Sequence, residues 1–401
     1  MSALPRLILK PGRERSLLRR HQWIFSGAVD RLEGDVPPGG EVLVADHRGA
    51  PLAVAAWSPD SQIAGRVWSF DPAETIDRGF FRRRIDAARQ LRRDLGYDDP
   101  AGGCRLVFSE GDFLPGVIVD RYGEFLVVQF TSAGAELHRA EICDLLAETT
   151  GCRGIYERSD LSVRAREGLA PRSGECRGEA LPDRLVITEA GLRFEVDPRH
   201  GQKTGFYFDL RDVRAAVRRL ARGRRFLNAF CYTGAFAVAA LAAGAESVLD
   251  LDSSEPALRT GRRNLELNGL DPARAEWRRA DVFTELRRLR EAGETFDLIV
   301  LDPPKLVDSR GALARGCRAY QDLARLGFSL LAPGGFLINL SCSGLMEAPL
   351  FQKITADAAI DAGCDSARIV GRLHQSADHP VALGVPEGAY LKGLVSHCFA
   401  I

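Results

Sequence analysis

The chain has 401 residues, enough for two or three domains and a sizeable core. Its 54 basic and 54 acidic residues cancel, which excludes nucleic-acid binding driven by overall charge and leaves any such affinity to local patches. Nine cysteines without a C-x-x-C pair or Cys/His cluster argue against structural zinc, and no apolar run approaches the ~18 residues of a membrane span. With no signal peptide, the sequence reads as cytoplasmic, with no membrane association and with reduced thiols.

Three domains are expected along the chain. Residues 1–72 carry short apolar runs, Glu41 to Ala45 and Leu52 to Trp57, separated by Pro37-Pro-Gly-Gly40 and Arg48-Gly49, the pattern of a small β-barrel. Trp23, Trp57 and Trp68 fall here, suited to filling a small core or stacking on bases. Residues 73–199 read as a central α+β domain: a helix over Arg82 to Leu95, strands over Gly116 to Val119 and Phe125 to Phe130, a helix near Ala135 to Thr149, and strands over Arg184 to Ile187 and Leu192 to Val196. Pro171 to Pro182, rich in Gly, Arg and Ser, reads as an exposed loop.

Residues 200–401 alternate strands with helices. Arg225 to Ala229 runs into a small-residue turn and a helix over Ala235 to Ala243 ending at Gly244. Ser247 to Leu251 is closed by Asp252, and a helix over Pro256 to Leu267 stops at Asn268-Gly269. Further strands lie near Ala275 to Arg279 before Asp281, over Phe296 to Leu301 into Asp302, and over Gly335 to Leu340 into Ser341, with a closing strand over Tyr390 to Phe399. The alternation predicts a doubly wound α/β domain with a parallel sheet, whose ligands sit beyond the carboxyl ends of the strands.

The polar residues gather at those ends. The first turn, with Asn228, Phe230 and Gly234, lacks the G-x-G-x-x-G of a dinucleotide fold. Asp252 can bond the ribose of either NAD or S-adenosylmethionine, and Asp281, placed to accept from an adenine amino group, shifts the balance towards the methyl donor. Any one of these acids alone is more often a helix cap or loop residue; three at successive strand ends favour a cofactor site. Asp302-Pro-Pro-Lys305 is a stiff loop lacking two backbone donors, suited to a planar base or simply a rigid turn. Cys342, between Ser341 and Ser343 and followed by Gly344, is a small buried hydrophobe or a nucleophile; as a nucleophile it needs a cationic neighbour, with Lys305 a candidate. Adjacent strands are about 4.8 Å apart, so neighbouring fourth and fifth strands would open Asp302 and Cys342 onto one pocket. Cys231 in the first turn is the competing thiol.

Through nearly its whole length the chain resembles the bacterial large-subunit ribosomal RNA cytosine-5 methyltransferases that carry an N-terminal PUA domain. The similarity runs through Leu9-Lys-Pro-Gly12, His21-Gln-Trp-Ile-Phe-Ser26, Gly111 to Tyr122, Glu157-Arg-Ser-Asp160, Gly201 to Arg211, Ser341-Cys-Ser-Gly344 and Tyr390-Leu-Lys-Gly393, with Leu210 standing where the family has glutamine. The resemblance implies a PUA-like β-barrel, a class I methyltransferase domain, S-adenosyl-L-methionine as cofactor and ribosomal RNA as partner. It further implies a covalent Cys342 adduct at cytosine carbon 6, Asp302 on the cytosine edge with Lys305 beside it, and cofactor contacts from Lys203, Asp209 and Arg211. A homodimer is compatible with it. Two alternatives remain: a guanine or adenine amino- or ring-nitrogen methyltransferase without a thiolate, and a noncatalytic ribosome-assembly factor. Candidate RNA patches are Arg82-Arg-Arg84 with Arg89, Arg92 and Arg93, and Arg211 to Arg225, where Arg214, Arg218 and Arg222 lie off an apolar stripe. Only five lysines occur, Lys10, Lys203, Lys305, Lys353 and Lys392, which hints at a need for a compact ammonium where they are kept.

Overall fold

A computed structural model of the chain describes residues 4–399. The chain forms two compact units: one spans the sequence up to Ile187, then Val196–Phe208 and Ala377–Gly388, and the other takes Thr188–Glu195, Asp209–Ser376 and the sequence from Ala389 onwards.

The first unit contains two sheets. Six short strands pair in the order Trp23–Phe25, Ile63–Ser69, Pro51–Trp57, Glu41–Ala45, Arg6–Leu9, Val29–Glu33, and Leu7, Leu9, Ile24, Val42, Val44 and Val67 fill their core. A five-stranded sheet follows, ordered Arg172–Gly178, Gly154–Ser159, Phe125–Phe130, Val117–Tyr122, Gly103–Phe108. Helix Arg78–Asp94 lays Phe80, Phe81 and Ile85 against it, and starts where the Asp77 side chain accepts from Phe80 N at 2.8 Å. Trp68 from the first sheet is only 2% exposed and stands edge-on to Phe81 in this second core, so it is a packing residue.

Three expectations fail here. Arg172–Gly178 is a strand, not a loop: it is an edge strand paired only to Gly154–Ser159, so its exposed residues read as loop composition. The helix expected over Ala135 to Thr149 is two, Ala133–Leu137 and Arg139–Thr150, separated at His138, whose ring bonds Glu41. The patch around Arg82 to Arg93 is partly neutralised within the unit: Arg82 pairs with Glu148, Arg83 with Glu74, Arg89 with Asp86, and Arg92 is buried in a two-armed bond to Asp112, whereas Arg84 lies over the Phe80 and Phe113 rings and Arg93 donates to Gln90.

The second unit is built on a seven-stranded sheet. Its strands are β1 (Arg225–Ala229), β2 (Ser247–Asp252), β3 (Ala275–Arg279), β4 (Phe296–Leu301), β5 (Leu331–Ser341), β6 (Arg368–His374) and β7 (Lys392–His397), in the order β3-β2-β1-β4-β5-β7-β6. β1 to β5 are parallel as expected, but β7 inserts antiparallel between β5 and β6. Strand order reverses between β1 and β4, which opens a crevice at their carboxyl ends. β4 reads Phe-Asp-Leu-Ile-Val-Leu and is buried almost throughout, as a central parallel strand requires. The prolines after Asp302 end its ladder, since they carry no N–H.

The helix Arg211–Leu220 buries Val213, Ala216 and Val217 as the stripe predicted, yet Arg214 is buried too, paired with Glu189, which also meets Arg211 at 3.3 Å. That basic patch is therefore partly an internal ion cluster. Cys364 and Cys398 are disulfide-bonded, with Cα atoms 6.1 Å apart, so the expectation of uniformly reduced thiols fails for this pair. Among the described residues no helix is long and apolar enough to cross a membrane.

Candidate active site

The turn after β1 carries backbone strain. Phe230, Tyr232 and Gly234 have φ of 63°, 49° and 70°, and only glycine adopts this region at no cost. The turn is held on several sides. Cys231 N donates to Leu251 O at 3.0 Å, Tyr232 N to Asp252 Oδ2 at 2.9 Å, and buried Asn264 Nδ2 to Thr233 O at 3.0 Å. Gly234 is fixed by packing as well as by φ, because a Cβ there would lie 2.4 Å from the Trp277 ring, which also covers Gly261.

Asp252 ends β2, and its second oxygen accepts from Ser254 N at 2.8 Å. Each carboxylate oxygen retains a lone pair for a further donor. Asp281 caps helix Val282–Glu291: Oδ1 accepts from Thr284 Oγ1 at 2.7 Å and Thr284 N at 2.9 Å. Those bonds, the hydroxyl's first, hold its carboxyl below the usual range. Two residues on from the Asp281 cap lies an unforeseen aromatic neighbour, Phe283, whose ring centroid is 6.0 Å from that of Phe230. An acid with spare acceptors and a pair of half-buried rings fit a nucleoside, with diol and planar base.

Beneath the turn, Asn228 Nδ2 donates to Asp250 Oδ1 at 2.6 Å, both fully buried and in register on β1 and β2. Burial pushes the Asp250 carboxyl up to about 8. Burial, reinforced by Asp250 and Asp252, also drives Cys231 well above an ordinary thiol, so Cys231 stays protonated.

The loops after β4 and β5 are joined. β4 and β5 are neighbours, Val307 N donates to Ser343 Oγ at 3.2 Å, and that hydroxyl also meets Tyr320 Oη at 3.0 Å. Cys342 is half-buried between buried Ser341 and Ser343, with Gly344 and Leu345 exposed beyond it. Asp302 anchors the first loop by donating its N–H to Ala229 O at 3.3 Å, and it is half-buried; Pro303 is buried and Lys305 exposed. An ammonium does reach this segment, that of Lys392. β7 places it opposite Ser341, its Nζ donates to Ser343 O at 2.6 Å, burial lowers it to about 8, and a charge on Cys342 opposes that lowering. Sequence reasoning noted Lys392 as a rare lysine but gave its task to Lys305; only the antiparallel register identifies the neighbour.

The three residues implied by resemblance have different local surroundings. Lys203 is exposed in the first unit, its Nζ 4.4 Å above the Tyr207 ring. In the second unit Asp209 is buried and accepts from Tyr390 Oη at 2.5 Å, while Arg211 belongs to the Glu189 cluster. Leu210 is 6% exposed, an apolar side chain packed inwards.

This fold and site define a methyltransferase with S-adenosylmethionine as cofactor, preceded by a PUA-like module. The family pattern of S-adenosylmethionine-dependent methyltransferases matches residues 164–395 and that of PUA-like domains residues 7–70. Ribosomal RNA large subunit methyltransferase I of Erwinia tasmaniensis is 52% identical over 97% of this chain and 98% of its own. The same enzyme of Cronobacter sakazakii is 50% identical over 98% and 99%. The structure of a proposed S-adenosylmethionine-dependent methyltransferase from Streptococcus mutans superposes with a TM-score of 0.84 at 23% identity, covering 98% of this chain and 99% of that one. The chain belongs to the ribosomal RNA large subunit methyltransferase I family.

Proposed function

We propose that this protein forms 5-methylcytosine in large-subunit ribosomal RNA, in the cytoplasm, through a covalent adduct on Cys342. The observation that carries the reading is a half-buried cysteine at the end of β5, on a loop bonded to Val307 just beyond Asp302-Pro-Pro-Lys305 and to the Lys392 ammonium through Ser343 O. Asp252, Asn228, Phe230, Gly234 and Asp281 would hold S-adenosylmethionine, with Lys203, Asp209 and Arg211 as outer contributors. When bound, the cofactor supplies a methyl group on a sulfonium sulfur. Cytosine carbon 5 is a poor nucleophile, and addition of the Cys342 thiolate to carbon 6 places an electron pair on it. Asp302 hydrogen-bonds the cytosine edge as charge builds, with Lys305 at the loop's exposed rim, and loss of the carbon 5 proton lets the Sγ–C6 bond break. The base must be unpaired or flipped for a thiol to reach its face.

In this reading residues 1–72 bind RNA, 73–199 form the central domain and 200–401 carry the chemistry. Arg13 and Arg15 suit the first task. They flank a cleft of about 410 Å³ shared with Trp23 and Phe25, and neither makes an ion pair among the described residues.

RNA bearing 5-fluorocytosine at the target blocks proton loss, so it should trap the wild-type protein and leave Cys342→Ala untrapped. That variant should fold, bind S-adenosylmethionine and lose methyl transfer, whereas Cys231→Ala keeps turnover because its thiol stays protonated. An active Cys342→Ala would instead support amino- or ring-nitrogen methylation.

A further inference from the structure

The half-buried lysine on β7 has a chemical role that the adduct mechanism alone does not assign. Lys392 is one of five lysines in the chain, and its Nζ reaches the Ser341-Cys342-Ser343 segment by donating to Ser343 O at 2.6 Å. Ladder register fixes it there, opposite Ser341 on β5 and His374 on β6. We infer that Lys392 is the positioning residue that holds Cys342 as a thiolate: the Sγ–H bond breaks, the proton passes to the Lys392 amine, and the sulfur keeps the electron pair beside the ammonium that forms.

The exchange turns a thiol and an amine into a thiolate and an ammonium, so atoms and net charge balance. Burial is what makes the amine available: it lowers Lys392, a charge on Cys342 opposes part of that lowering, and together they leave it at about 8. Other ionisable groups on the elements packed around this point include Asp302 on the joined loop after β4, whose carboxylate opposes a thiolate, together with Tyr320 and His374. Tyr320 Oη is bonded to Ser343 Oγ and is raised by burial, first of all, so it stays neutral. His374 directs Nδ1 to Gln375 O at 3.1 Å. The purpose of the pairing rests on the reading of Cys342 as nucleophile; its chemistry does not.

Alkylation by iodoacetamide, followed at the Cys342 peptide by mass spectrometry across pH in the full-length protein, reads the thiolate without any RNA. The wild-type midpoint should fall below the ~8.5 of a free thiol. Lys392→Met should move it up by about one pH unit and slow alkylation at pH 7 about ten-fold, and Lys392→Arg should retain the low midpoint. Superimposable profiles for wild type and Lys392→Met would overturn the inference. A second measurement does not depend on Lys392→Met folding. With ε-carbon-labelled lysine, Cys342→Ser should lower the Lys392 titration relative to wild type, and unchanged titration would overturn the pairing. A shifted alkylation profile without trapping by 5-fluorocytosine RNA leaves the pairing standing and removes the cytosine mechanism; trapping with unshifted profiles does the reverse.

Discussion

Asp252 and Asp250 sit two residues apart on β2 and do opposite things with the same carboxyl. Asp252 is half-buried and ties the strained turn to the strand end through Tyr232 N, with lone pairs left over that the proposed reading gives to the cofactor ribose. Removing it as Asp252→Ala should weaken S-adenosylmethionine binding by about 1.5–3 kcal/mol, the range for hydrogen bonds to a charged group. Calorimetry on the folded variant checks this, and unchanged affinity would refute the assignment. Asp250 is fully buried between the Asn228 amide and the Cys231 thiol, and the cost of burying its charge outweighs the bonds those two groups offer. Its folded pKa of about 8 lies above the ordinary 3.8. Between those values the folded state holds a proton that the unfolded chain has released, so the stability linked to Asp250 is whole below the lower value and lost as pH climbs to the upper one. Urea unfolding at pH 5 and pH 8 should show wild type losing more stability than Asp250→Asn over that interval; parallel losses would contradict the buried neutral acid.

The strand–turn–helix after β1 shows what a sequence reveals and what it hides. β1 and β4 were legible to the residue because each is an apolar run bounded by turn residues, β3 (Ala-Glu-Trp-Arg-Arg) was legible only from its place before Asp281, and the acids at β2 and β4 were legible because parallel strands point their ends at one crevice. β6 was not: it is an edge strand, mostly exposed, without the apolar alternation that marks a strand. The arginine patches misled for a related reason, since Arg92 and Arg214 look solvated in sequence but have carboxylate partners distant in the chain, Asp112 and Glu189. Gly234 was recognised as a turn glycine, whereas its contact with Trp277 is visible only in three dimensions. Gly234→Ala should therefore suffer both a positive φ and a clash with the indole, and lose roughly 1–3 kcal/mol of stability together with cofactor affinity. In a Trp277→Ala background the same change should cost less, because the clash is gone and the φ strain remains. A double-mutant cycle by urea denaturation reads the difference, and full additivity would show that Trp277 is not the obstacle.

Charge balance across the chain means that RNA must be captured locally, and ion pairing has removed most of the arginines that looked available for it. Deleting residues 1–72 is a poor test of the N-terminal module. Trp68 is part of the central core, Trp23 Nε1 donates to Glu110 at 2.8 Å and Arg66 pairs with buried Glu167, so the deletion would unfold what it leaves behind. Surface substitutions separate binding from folding. Arg13 and Arg15 are exposed at the rim of the cleft, and Phe25 is 48% exposed beside them, an arrangement of charges for phosphate and a ring for a base. Arg13→Ala and Arg15→Ala should each lower the slope of log affinity against log salt by about 0.7 for single-stranded RNA, whatever its sequence. Phe25→Ala should instead cost about 1–3 kcal/mol, the worth of one stacked base, and leave the salt slope alone. All three should bind S-adenosylmethionine as wild type does, because none lies in the unit that carries β1 to β7. Filter binding of an rRNA fragment across a salt series measures both quantities, and variants with unaltered affinity and slope would move RNA recognition away from this cleft.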